Sequence, residues 1–296
     1  MEKEILNIRT PVVFDESIAH YAIHAHTPYA SSTFNNSDEI RITVQHQELC
    51  ILPSKSSVHI DGRILKPDGT ATVNTQLVNN AICHLFEEIR CKIDAVEINR
   101  SKNVGLTGLM KGYASLHAGP TWLMKNAAWL DVEEKKKLTE AEGNFDVLTS
   151  LSMIFGFAND YRKIVVNAEQ ELILTRSKTD VNAMMQTQEE EFNIKINAVE
   201  WLIPYLKLAD QKKVDLLNFV QTDAPISMSF RSWKLYECPL LLTTSKHVWT
   251  MKTSTQLEKS RHVILLFQTS RKHKTGKNAS HFDHCDTTDV KLFSNS

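Results

Sequence analysis

Histidine and cysteine are the side chains whose spacing here could do chemistry. His24-Ala25-His26 sets two imidazoles two residues apart, a spacing that could supply part of a metal shell. A glutamate a few residues later would extend such a shell, but Thr27-Pro28-Tyr29-Ala30-Ser31 follows. His281-Phe282-Asp283-His284-Cys285 gathers two imidazoles and a thiol in a short run. No second cluster of Cys or His stands beside it to close a four-ligand shell, so a polar loop is the better reading. The expectation is no metal site and no cofactor.

Nucleophilic chemistry leaves no trace either. There is no GxSxG elbow, no glycine-rich phosphate loop and no HExxH pair. The acidic pairs Asp38-Glu39 and Glu87-Glu88 are adjacent in sequence, so on strands they point to opposite faces and cannot share a substrate. No catalytic residue is nominated, and the chain is expected not to be an enzyme. Arg271-Lys272-His273-Lys274-Thr275-Gly276-Lys277 is the one basic run, and a weak contact with nucleic acid or an acidic partner is its functional reading. No aromatic residue interleaves it for base stacking.

Composition narrows the class further. A chain of 296 residues can bury one large core or two ordinary ones. With 34 Lys and Arg against 35 Asp and Glu, no global charge attracts nucleic acid or an anionic membrane. An apolar share of 42% is adequate for a folded core. The longest apolar stretches fall far below the ~20 residues that span a bilayer, and MEKEILNIRT carries acids where a signal peptide carries bases. Neither secretion nor membrane insertion is therefore indicated, and an intracellular protein is expected. Its five cysteines, Cys50, Cys83, Cys91, Cys238 and Cys285, form no CxxC pair and suit reduced thiols.

The elements that must position these residues are mostly strands. Ile89, Cys91 and Ile93 alternate with Arg90, Lys92 and Asp94, and Val96 and Ile98 alternate with Glu97 and Asn99. Asp94-Ala95 between them predicts a two-residue hairpin, although alanine is a poor occupant of a turn that wants positive φ. Ala81 to Phe86 before it is either a helical turn or an apolar lead-in. Strands are also predicted at Pro11 to Phe14, around Ile40 to Val44, at Val58 to Ile60, at Glu171 to Arg176, and over Phe192 to Ala198. Later ones follow at Ile226 to Leu235 with a bend near Ser232, at Val263 to Phe267, and at Val290 to Leu292. His20 to Asp38 reads as loop, and Lys178 to Glu191 as polar connection. Between Val104 and Asp131 glycines interrupt every helical pattern, so short helical pieces are expected there, tied down by Trp122 and Trp129. Helices are predicted at Asp131 to Glu142 and at Asp210 to Val220, the latter with Val214, Leu217 and Val220 on one face. Many short strands in two similar blocks predict two tandem β-sandwiches, 1–150 and 151–296.

NNAICHLFEEIR at 79–90, the hairpin, and VEINRSKNVGLTGLMKGYASL at 96–116 resemble the double-jelly-roll major capsid proteins of Polinton (Maverick) elements and adintoviruses. So do PYASSTFNNSDEIRI at 28–42, IFGFANDYRKIVVNAEQELILTRSKTD at 154–180, and FRSWKLYECPLL with KTSTQLEKSRHVILLFQTSRK between 230 and 272. The resemblance implies a mostly β double jelly roll with short helices in its connections. It also implies self-association into homotrimeric pseudo-hexagonal capsomers and an icosahedral coat, in a virus or as an endogenous viral element. Members of that family continue past FDHCDTTDVKLFSNS, so the second jelly roll is expected to be incomplete at Ser296. The rival reading is a cupin-like metal-dependent β-sandwich enzyme using His24 and His26, or a β-sandwich binding module.

Overall fold

A computed structural model describes residues 17–29, 33–45, 50–115, 121–129, 139, 142–222, 224–238, 246–250 and 262–293. Its strands are, in chain order, β1 (Ile18–His26), β2 (Glu39–Val44), β3 (Cys50–Ile51), β4 (Ser57–Leu65), β5 (Thr75–Leu77) and β6 (Phe86–Ile93). They continue with β7 (Val96–Lys102), β8 (Asn144–Ser150), β9 (Gln170–Arg176), β10 (Met184–Gln186) and β11 (Asn193–Leu208). One sheet runs β1-β11-β4-β8 with β3 added against β11; the other runs β2-β9-β6-β7; β5 and β10 form a small ribbon.

The pairing is nested. β6 pairs with β7, β4 with β8, β2 with β9 and β1 with β11, all antiparallel, and successive pairs fall in alternate sheets. That is one long antiparallel ribbon rolled into a sandwich, the eight-stranded jelly roll. The β6-β7 hairpin is the closed tip of the ribbon. Its turn residues Asp94 and Ala95 both take left-handed φ, +48° and +63°, as a primed turn between two twisted strands demands. Ile89 and Cys91 point inward with 1% and 3% exposure, while Arg90 and Lys92 stay partly wet. The inner faces of the two sheets meet in one core through Ile40, Ile42, Ile89 and Leu174 on one side and Ile60, Phe145, Ile196 and Trp201 on the other.

The division expected at residue 150 runs through this ribbon. β9 and β11 return to pair with β2 and β1, so the sandwich closes only at Leu208. β11 is also longer than its predicted strand. A register shift between Ile196 and Ala198 moves the buried parity from Ile194 and Ile196 to Val199, Trp201, Ile203 and Tyr205, which hides the alternation. His20 to His26, expected as loop, lies in β1, whose mostly exposed side chains write no alternation. Within the expected polar connection 178–191, Met184 to Gln186 pairs with β5 and buries Met184.

Helices fill the connections. α1 (Ala81–His84) settles the open segment before the hairpin as helical, and α2 (Val104–Ser115) is a continuous helix despite its glycines. Gly105 and Gly112 lie where a methyl group would strike the His84 ring and the Trp129 ring, so their absence of side chain lets the helix approach both. α3 (Thr121–Asn126), α4 (Leu151–Ile154), α5 (Gly156–Asp160) and α6 (Asp210–Gln221) follow. After α6 the described residues contain no sheet, only an isolated bridge between Phe267 and Asp283. The segments expected as strands at 226–235, 263–267 and 290–292 form no sheet there beyond the Phe267 bridge, because a suitable pattern gives a segment a face without giving it a partner. The predicted strand at 11–14 and most of the predicted helix at 131–142 lie outside the described residues.

Candidate assembly surfaces

The outer face of the β2-β9-β6-β7 sheet is an ionic lattice. Glu39 takes Arg41 at 2.6 Å and Arg90 at 2.7 Å, and Glu171 takes Arg41 and Lys92, each at 3.2 Å. Glu88 gathers Arg90 at 3.0 Å and Arg100 at 3.5 Å. Register puts Arg41 and Arg90 on either side of Ile173, and this outward-facing isoleucine is 0% exposed beneath them. With its charges already paired, such a face can be covered by a neighbour without stripping water from a lone ion.

On the opposite sheet His59 sits between two carboxylates, with Nδ1 3.0 Å from Glu200 and Nε2 2.8 Å from Asp146. Burial pulls its pKa down, and the two carboxylates more than reverse this, so it ends above the ordinary histidine value. Toward β1 the same outer face becomes apolar. Register aligns Tyr21 with Leu206, Ile23 with Pro204 and Ala25 with Leu202, and Tyr21 and Ile23 are 50% and 61% exposed. α6 leaves β11 at this edge and forms where the sequence predicts, but among the described residues nothing covers its apolar face. Val214, Leu217 and Val220 are each about half exposed.

His24 and His26 share the other, inward side of β1, a strand where the sequence reads as loop. Tyr205 meets both: its hydroxyl lies 2.9 Å from His26 Nε2, and its ring centroid is 4.6 Å from that of His24. Burial pushes the Tyr205 phenol up to about 12, so it stays neutral. The second cluster diverges. His281 turns to Asn278, Asp283 receives Arg271 and the Thr269 amide, His284 pairs with Asp286, and Cys285 Sγ lies 3.8 Å from the Thr269 hydroxyl. Among the described residues no three His, Cys, Asp or Glu side chains converge on a metal-sized point.

The basic run is partly spoken for. Arg271 lies 2.5 Å from Asp283 and Lys272 lies 2.9 Å from Glu237, while the His273 amide donates to Asn182. Sequence reasoning missed these partners because they stand 12, 35 and 91 residues away. Trp233 and Tyr236 are half-buried.

The nested ribbon has a counterpart in sequence. Residues 75–296 match the family model described as the double jelly roll-like domain. The chain belongs to that family. Solved structures with a similar fold include the major capsid protein of mavirus, at 10% identity and a TM-score of 0.45 over 68% of this chain and 49% of that one. VP54 of PBCV-1, fitted into a reconstruction of the virophage Sputnik, gives 13% identity and a TM-score of 0.46 over 71% of this chain and 47% of that one. The Faustovirus major capsid protein gives 7% and 0.45, over 73% and 59%. This double jelly roll-like chain thus spans about half the length of the structures it matches. A search of curated proteins finds no match.

Proposed function

We propose that this chain is a structural subunit of a viral capsid, of the Polinton (Maverick) and adintovirus kind, and that it works by self-association without chemistry. The observation that carries the reading is the nested eight-stranded ribbon of residues 18–208 inside a double jelly roll-like chain. In this reading the first jelly roll stands upright in a shell, three copies make a pseudo-hexagonal capsomer, and the protein resides in the virion. The self-paired ionic face and the apolar strip at Tyr21 and Ile23 suit lateral contacts, the first by adding specificity and the second by burying apolar area. Lys274 and Lys277 leave the basic run a weak contact with packaged nucleic acid, since Arg271 and Lys272 are held by carboxylates.

The test is mass photometry and negative-stain microscopy of concentrated protein. Discrete trimers or regular particles support the reading, and a monomer at every concentration overturns it. The cupin-like rival is tested separately by metal analysis. A stoichiometric ion lost on replacing His24 or His26 would favour the enzyme.

A further inference from the structure

The jelly roll is complete at Leu208, yet later segments reach back to grip it at two places. At the first, Arg231 clasps Asp160 at the end of α5: Nε lies 2.8 Å from one carboxylate oxygen, Nη2 lies 2.5 Å from the other, and the Arg231 amide adds a third bond at 2.9 Å. Beside it Phe230 packs edge-on to Phe157, with centroids 5.3 Å apart, and Met228 joins the same small apolar cluster. Gly156 lies directly under the Arg231 carbonyl, where a β-carbon would collide with it.

The second grip is built from the loop closed by the Phe267 to Asp283 bridge and by Arg271 on Asp283. Its tip enters the connections of the jelly roll. Ala279 and Ser280 are 3% and 0% exposed, although they lie outside every helix and strand. Ser280 Oγ donates to the Asn79 carbonyl at 2.5 Å and stands 3.3 Å from His84 Nε2. The Gln186 amide donates to the Thr275 carbonyl at 2.8 Å, and Phe282 packs edge-on to Tyr113 of α2. Glu237 joins the two grips, taking Lys272 at 2.9 Å and Asn103, beside α2, at 3.1 Å. The polar contacts engage helices, turns and the short β5-β10 ribbon, and the apolar cluster at the first grip touches the long strands only beside the hairpin tip, at Ile93 and Ile98.

We propose that residues 228–238 and 267–283 form a two-point strap that docks the chain of the second lobe onto the connections of the first jelly roll and couples its two anchors. This rests on the two-lobe reading of the proposed function. The strap would set the orientation of the chain beyond Leu208, because segments without a sheet of their own take their position from the elements they grip. Its sequence carries the device in Arg231, Glu237 and Ser280, each of which meets a first-lobe partner that is already ordered by the ribbon.

Hydrogen exchange by mass spectrometry on the full chain tests it, comparing wild type with Arg231→Gln, the milder Arg231→Lys, and Ser280→Val. Coupling predicts cross-effects. Arg231→Gln should speed exchange about tenfold at 278–283 as well as at 228–232, Ser280→Val should do the converse, and Arg231→Lys should lie between. Exchange within β4, β6 and β9 should be unchanged. Effects confined to the mutated anchor would overturn the proposal. So would loss of protection through β4, β6 and β9, because the contacts would then belong to the jelly roll's own stability. The readout is taken on unassembled protein, so failure to form particles would count against the capsid reading and leave this result standing.

Discussion

Arg176 Nη2 lies 2.8 Å from Asp180 Oδ1, four residues on, with the arginine side chain wholly excluded from water and the aspartate nearly so. The guanidinium also donates to the Leu85 carbonyl at 2.8 Å and lies 5.9 Å over the Phe86 ring. It thereby ties the end of β9 to the start of β6. Burial pushes the Asp180 carboxyl up, against the pull of Arg176, so the pair carries a real desolvation cost. Removing one partner leaves a lone buried charge, which costs about 3–5 kcal/mol. Asp180→Ala should therefore destabilise more than a double Arg176→Met, Asp180→Leu replacement. Urea midpoints measure this, and equal losses for both variants would count against it.

The hairpin tip allows an opposed pair of substitutions. Ile89→Asp buries an unpaired carboxylate in the core and should cost several kcal/mol, on the order of what a marginal domain possesses. Arg90→Ser removes one member of a partly exposed ionic face and should cost about 1 kcal/mol or less. Thermal melting distinguishes them, and similar shifts would sink the strand assignment.

Ala95 holds a φ of +63° that glycine adopts without steric cost. Ala95→Gly should accordingly raise stability, by about 0.5 kcal/mol, once glycine's greater freedom in the unfolded chain is subtracted from the relieved strain. Asp94 is best left in place, since its carboxylate accepts the Glu169 amide at 2.9 Å. A loss of stability on this change would contradict the primed turn.

His59 predicts a pH dependence. Its folded pKa lies above the unfolded value, ~6.5, because Glu200 and Asp146 outweigh burial. The stabilisation is thus fully present below the unfolded pKa and is lost as pH rises through the folded one. His59→Gln should flatten the fall of stability on the alkaline side of that value. Denaturant midpoints across pH 5 to about 9 read it, and an identical slope in wild type and variant would refute the assignment.

Gly105 and Gly112 should resist substitution for a steric reason. Gly105→Ala drives a methyl group into the buried His84 ring, and Gly112→Ala does the same to Trp129. Overpacking of this kind costs about 1–3 kcal/mol although alanine is the better helix former. Stabilisation by either change, in a chemical melt, would show that α2 can move away.

The local character of the chain was determined by the sequence itself. Alternation marked β2, β4, β6 and β7, and in β2, β4 and β6 it told inside from outside, since side-chain direction in a strand depends only on parity; in β7 it misled, because a register shift against β6 turns Asn99 and Ser101 inward and leaves Val96 62% exposed. It also placed α6 and the hairpin turn, both of which rest on neighbours within a few residues. Partners were another matter. β1 pairs with β11 across some 180 residues, and β1 shows no alternation because most of its side chains are exposed, so the early loop and the boundary at 150 were natural misreadings. The glycines of α2 read as breaks because the ring of His84 and the indole of Trp129, which they accommodate, arrive from elsewhere in the fold. The partners of the histidine pairs and of the basic run were hidden for the same reason. Spacing shows which groups can meet, and only the tertiary structure decided that Tyr205, Asp283 and Glu237 meet them first.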